Sequence, residues 1–130
     1  MIGVDTNVLM RYLLRDDKQQ SQQAKAIMDG FTQQQPGFIS ITTLLEAMWL
    51  LRQTYKMPRE DVLQIAHALV VSTSIHIQAE STVDEAIEIA QRGNFDLPDV
   101  LVSIFGRDAG CSHTLTFDRK AAMIPGMMLI

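Results

Sequence analysis

Apolar and polar positions along this chain follow two periods in turn, one helical and one strand-like. Ile2 to Val4 is a short apolar run ending at Asp5, which predicts a buried strand. From Asn7 to Leu14 the apolar residues Val8, Leu9, Tyr12 and Leu13 recur at helical spacing. A polar amphipathic helix follows over Lys18 to Met28 and closes at Gly30, and QQQPG at 33–37 is a loop. Phe38 to Ile41 predicts a second strand, Thr42 to Tyr55 a strong helix, and Pro58 opens another that runs to about Val71. Ile75 and Ile77 alternate with His76 and Gln78, a period-two strand signal. Ser81 or Thr82 starts a helix through Gln91, ended by Gly93-Asn94. Asp96-Leu97-Pro98 starts the next, with Val100, Leu101, Ile104 and Phe105 at helical spacing and Gly110 past its end. Thr114 to Phe117 reads as a strand, and the Pro125-Gly126 turn leads into a last one, Met127 to Ile130.

Five short strands separated by helices imply an α/β domain with a largely parallel sheet covered on both faces. The 130 residues fit one domain, 1–130, with no repeat and no linker. Hydrophobic residues make up 47% and charged residues 20%, so the chain can build a core and disorder is excluded. The single cysteine, Cys111, rules out an internal disulfide and a Cys-rich zinc site, and fits a reducing cytoplasm. Asp5 and Arg11 interrupt the first apolar run too early for a signal peptide, and no window approaches 18 apolar residues. A soluble, cytoplasmic protein with no membrane partner is expected. Eleven Lys and Arg stand against 15 Asp and Glu, and the net charge of −4 argues against gripping nucleic acid by charge alone.

In an open parallel sheet the ligand crevice lies beyond the carboxyl ends of the strands. Acidic residues occupy those ends. Asp5 follows the first strand, and Glu46 lies one turn into the helix after the second. Asp99 lies in the first turn of the helix opened by Pro98, with Asp96 just before it, and Asp118 follows the strand Thr114 to Phe117. Such a cluster repels itself unless a cation sits within it. Hard oxygen donors, with no Cys and no paired His, point to Mg²⁺ or Mn²⁺. One or two such ions activate water and steady the charge that develops on a phosphodiester.

Each residue also has a purely structural reading. Asp5 is a favoured N-cap, Asp99 suits a helix N-terminus, and Asp118 suits a turn. Glu46 completes a capping-box pattern, Thr43-Leu44-Leu45-Glu46, and Thr82-Val83-Asp84-Glu85 repeats that pattern with no evident chemistry. No one residue decides; their coincidence at one edge does. The three His have no ligand spacing, and Cys111 reads as a buried small hydrophobe. For Met123, Met127, Met128, Trp49, Leu50, Leu51 and Tyr55, core is the expected role of most and partner surface the alternative.

Asp5-Thr6-Asn7 after an apolar strand, Glu46 in SITTLLEAMWLL, Asp99 in FDLPDVLVS and Thr116-Phe117-Asp118-Arg119 occur in an order and spacing that resembles a PIN domain. More narrowly the chain resembles the VapC type, the toxin of bacterial type II toxin–antitoxin pairs. The resemblance implies a three-layer α/β/α fold with a five-stranded sheet in the order 3-2-1-4-5. It implies an endoribonuclease dependent on Mg²⁺ or Mn²⁺, with Asp5, Asp99 and Asp118 as ligands and Glu46 as a ligand or the residue that orients attacking water. Asn7 and Thr116 match supporting positions, and Asp96 an outer carboxylate. It also implies an RNA substrate, a homodimer and a cognate VapB-type antitoxin whose segment reaches the active site.

Two positions depart from the common pattern. Val100-Leu101-Val102-Ser103 replaces an Ala-rich stretch, and Asp118-Arg119-Lys120 lacks the second acid of a D-R-D run. Arg119 and Lys120 are free to hold a substrate phosphate instead. Arg11 is a further candidate, although Arg11 and Arg15 also read as a solvated helix face.

The rivals are an aspartate-nucleophile phosphatase, a receiver domain and a non-catalytic PIN-like RNA-binding module. The phosphatase wants an acid where Asn7 stands, the receiver an acidic pair where Gly3-Val4 precede Asp5, and the binding module a broken acidic set. A Glu46→Gln variant separates capping from chemistry. Lost thermal stability with activity kept marks a cap, and lost activity with stability kept marks a site residue.

Overall fold

Local chemistry starts and stops each element of the computed structural model, which describes residues 1–130. Strand β1 (Ile2–Gly3) ends where Asp5 turns outward to cap α1 (Thr6–Leu14), its carboxylate accepting from the Val8 N–H. Asp17 caps α2 (Lys18–Asp29) in the same way, accepting from Gln20. Strand β2 (Gly37–Ile39) gives way to α3 (Ile41–Gln53) because Ser40 caps that helix, so Ile41 is helical and not the end of the expected strand. After α4 (Arg59–Val71) come β3 (Ile75–Ile77) and α5 (Glu80–Gly93). Then follow α6 (Leu97–Asp108), β4 (Thr114–Thr116) and β5 (Met127–Leu129). A 3₁₀ turn over Ala121–Met123, not expected from the pattern, lies between β4 and β5.

The fold is α/β, with six helices and only parallel pairing between strands. β2 is central in the order β1-β2-β3, and β4 pairs with β5. The expected single sheet of order 3-2-1-4-5 is therefore divided, because no ladder joins β1 to β4. The backbone explains the break. Ile2 and Val4 donate to Pro36 and Phe38 on the β2 side, and alternate residues of a strand face opposite neighbours. Between Met1 and Asp5 only Gly3 turns its N–H and C=O to the other edge. Thr114 and Thr116 bond to the β5 side, which leaves Leu115 alone facing outward. One residue on each edge is too little for a ladder.

The helical stripes fill the core. Leu44, Ala47, Met48 and Leu51 of α3 are fully buried at i, i+3, i+4, i+7 spacing. Val83, Ala86, Ile87 and Ala90 of α5 and Leu97, Val100, Leu101 and Ile104 of α6 repeat the spacing and join the same cluster. The C-terminal segment is tied to this core by Ser103, whose buried hydroxyl donates to the Pro125 carbonyl at 2.6 Å. Gly126 follows at φ +88°, a conformation side-chain-bearing residues rarely adopt.

Of the seven large side chains expected mostly in the core, only Leu51 is buried; Trp49, Tyr55, Met123 and Met128 are exposed. Cys111 is exposed as well, against the expectation of burial. Trp49 lies on α3 outside its buried stripe, Tyr55 and Cys111 lie past the ends of α3 and α6, Met123 lies in the 3₁₀ turn, and Met128 lies on the terminal strand β5. No helix is long and apolar enough to cross a membrane.

Gly37 is the tightest point of the central strand, since a Cβ there would stand 2.5 Å from Phe31 Cε2. Gly37→Ala is expected to destabilise the fold by about 1–3 kcal/mol through forced repacking of that ring. Urea denaturation measures it, and an unchanged midpoint refutes it.

Candidate active site

The elements that carry the acidic residues touch in sequence: α1 packs on α3, α3 on α6, and α6 on β4. At the end of β1, Asp5 spends one oxygen, Oδ1, on the Val8 N–H at 3.0 Å and keeps Oδ2 free of partners within the chain. Asp118 is built alike. Its Oδ1 accepts from the backbone N–H of Lys120 at 2.8 Å and of Ala121 at 3.1 Å, while its own N–H donates to Thr116 Oγ1 at 3.0 Å. In both, the capping bond holds the carboxylate in one orientation and leaves the second oxygen available. A bond to the following backbone therefore leaves each of Asp5 and Asp118 with an oxygen free for a ligand.

Asp99 is half-buried in the first turn of α6. Burial raises its pKa, and the charges of Asp96 and Asp118 raise it further. No hydrogen bond within the chain relieves it. Asp96 is handled differently. It is the N-cap of α6 but accepts no backbone N–H of that helix. Instead its Oδ1 accepts from Arg52 Nε and Arg59 Nε, both at 3.0 Å. Burial pushes the Asp96 pKa up, and the two guanidinium groups outweigh it and hold the carboxyl below its usual range. Arg59 also donates to Asn94 Oδ1 at 2.9 Å, and Arg52 to the Met57 carbonyl at 3.1 Å, so the clamp ties α3 and α4 to the start of α6.

Glu46 stands exposed on α3 with no hydrogen bond or ion pair. The capping-box reading fails for it. The cap is Ser40, which accepts from Thr43, so Glu46 lies beyond the first turn where no free N–H remains. The parallel motif at Thr82 fails for the same reason: α5 begins at Glu80, and Glu85 instead pairs with Arg107 of α6.

The structure thus brings the charges of Asp96 and Asp118 to bear on Asp99, while Asp5 stands at the start of α1 and Glu46 on α3, the helix that packs against both α1 and α6. No three His, Cys, Asp or Glu side chains converge closely enough to hold an ion. The donor chemistry nevertheless suits a hard divalent cation: free carboxylate oxygens on Asp5 and Asp118, and an unrelieved carboxylate on Asp99. Asn7 is exposed beside Asp5 and its amide has no partner. Among the basic candidates, Arg119 and Lys120 are exposed and form no ion pair. Arg11 is already engaged, donating to Asp16 and Gln20 at 2.8 Å each.

Sequence reasoning missed Arg52 and Arg59. They lie 44 and 37 residues before Asp96, at the end of one helix and the start of another, and no local pattern marks the pairing.

The sequence profile of the PIN domain family matches the chain over residues 2–126. No curated protein matches it.

The clamp makes a pH-dependent prediction. Asp96→Ala removes the acceptor of Arg52 Nε and Arg59 Nε, so that the two guanidinium groups keep only their Met57 and Asn94 partners, and is expected to cost about 1–2 kcal/mol. A depressed carboxyl pKa stabilises the fold above the unfolded value, near pH 4, and the benefit is lost as pH falls through the folded value. The stability gap between wild type and variant should therefore hold from pH 7 to about pH 5 and shrink below pH 4. Denaturation series across that range measure it, and a gap independent of pH down to 2 overturns the assignment. Glu46→Gln should change stability by less than about 0.5 kcal/mol in the same assay.

Proposed function

The chain belongs to the PIN domain family, and from that premise we propose that it is an endoribonuclease dependent on Mg²⁺ or Mn²⁺, the toxin of a VapBC-type pair. PIN domains are generally nucleases, so hydrolysis of nucleic acid is the coarse assignment. The observation that carries the finer reading is Asp99. It is half-buried, pressed by two neighbouring carboxylates, and neutralised by nothing in the chain.

Asp5, Asp99 and Asp118 would hold the cation, with Glu46 as a further ligand or as the residue that orients water. When bound, the cation supplies Lewis-acid polarisation of the phosphodiester and offsets its developing charge. The chain's own residues do the rest. The capping bonds of Asp5 and Asp118 keep their second oxygens in fixed directions. Glu46, exposed and unpaired, would orient the attacking water through its carboxylate and take up its proton. Arg119 and Lys120 would hold a flanking phosphate by charge-assisted hydrogen bonds. Hydrolysis then adds the water oxygen to phosphorus and releases one ribose oxygen.

The same reading includes a homodimer and a VapB-type antitoxin. Its support is the exposed apolar surface, with Phe117 at 82% and Met123 at 75% exposure flanking Asp118. A basic segment of the antitoxin would be drawn to the carboxylates.

Purified protein is expected to cleave total RNA with Mg²⁺ or Mn²⁺ and to stop on chelation. Asp5→Asn and Asp99→Asn should each lower the rate at least about 100-fold. Asp99→Asn should also raise the stability of the cation-free fold, by on the order of 0.5 kcal/mol, because it removes a repelled charge. Cleavage that survives chelation, or an Asp5→Asn protein that cuts like wild type, sinks the reading.

A further inference from the structure

Beside Asp5, helices α1 and α2 leave an open cleft of about 400 Å³, within the size range of small-molecule sites. Its polar groups are side chains of Asp5, Asn7, Arg11, Gln20 and Gln23, and its apolar wall includes Val8 and Ile27. Gln20 Oε1 accepts from Arg11 Nε, which fixes the amide with its NH₂ free to donate. The amides of Asn7 and Gln23 have no partner in the chain, so each offers a donor and an acceptor side by side. Arg11 is oriented by Asp16 and Gln20 and retains one Nη group that no chain atom accepts from.

We infer that this cleft binds one unpaired nucleobase of the RNA, next to the scissile phosphate, and so sets which sequence is cut. The inference rests on the ribonuclease reading and names the part of that site which chooses the substrate. An amide's adjacent donor and acceptor match the edge of a base, and each such pair discriminates strongly against the wrong base. Sequence-specific readers of RNA target splayed-out single-stranded bases, which need an apolar surface for the ring face as well as polar groups for the edge. Val8 and Ile27 provide the first, and Asn7, Gln20 and Gln23 the second. The charge of Arg11 favours a nucleotide over a basic peptide in the same space. Position decides the role: Asp5 is part of the cleft's lining, so a base held there would lie beside a carboxylate that the proposed function assigns to the cation.

The test uses the whole protein and the four nucleoside 5′-monophosphates as probes, followed by the side-chain NH₂ signals of Asn7, Gln20 and Gln23 in nuclear magnetic resonance. One nucleotide is expected to shift those signals, and Gln23→Ala to weaken its binding about tenfold. In a randomised single-stranded RNA cut with Mn²⁺, wild type should favour the same base beside the cut, and Gln23→Ala should flatten that preference. Gln23 is exposed on its helix, so the variant folds; Gln23→Glu, which keeps size and loses the donor, should shift the preference. No amide shift with any nucleotide, or a preference untouched by both variants, overturns the inference. Shifted amides with RNA left uncut would support the cleft and remove the nuclease reading, so the two can fail separately.

Discussion

Repulsion among half-buried carboxylates is the constraint around which the sheet edge is organised. Asp99 meets burial and the charges of Asp96 and Asp118 together. Asp96 is compensated by two arginines, and Asp118 by backbone N–H groups. Asp99 alone is left with its charge unrelieved. A helix start needs no acid there, and an amide of the same size would remove the repulsion. That penalty at one residue, beside neutralised neighbours, is what the proposed cation would relieve. A cation is the smallest addition that turns the penalty into binding energy.

Helix capping is the means by which this chain holds its acids still. Asp5 and Asp118 each commit one oxygen to the backbone that follows and leave the other unengaged. The bond that stops β1 and starts α1 is thus also the bond that orients a candidate ligand. The far side is fixed by a bond between distant segments. Ser103 ties α6 to Pro125, 22 residues on, and Gly126 makes the turn into β5, so the strand that ends before Asp118 is anchored to the helix that carries Asp99. The candidate site therefore rests on local side-chain-to-backbone bonds and on this one tie, with no ladder between β1 and β4.

That distinction also explains what could be read from the sequence. Helices with a strong apolar stripe, α3 and α6 above all, are legible because burial repeats every three or four residues. Asp5 and Asp118 are legible because each follows a strand, and Asp99 because Pro98 marks the start of its helix. The boundary at Ile41 and the break between β1 and β4 are not legible, since one cap and the backbone orientation of Gly3 and Leu115 decide them. The Arg52–Asp96–Arg59 clamp is invisible for another reason: it joins three helices across long stretches of chain. Glu46 shows the opposite error. Its spacing from Thr43 matches a capping box, yet Ser40 had already taken the cap, and a motif without its helix start is only a spacing.

The net charge of −4 takes on a different meaning once it is located. Setting Asp5, Glu46, Asp99 and Asp118 aside leaves 11 acidic against 11 basic residues, a neutral remainder. The net negative charge then equals the charge of the four candidate site residues. Next to Asp118 stand Arg119 and Lys120 without ion pairs, and Arg11 stands at the mouth of the amide-lined cleft. An acidic centre with basic and neutral polar flanks repels a phosphate while empty and admits it once a cation is bound. Substrate and cation should then bind cooperatively, because each lowers the electrostatic cost of the other. Under the proposed function the negative charge would make entry of a phosphodiester depend on the cation, so it does not argue against a nucleic-acid substrate.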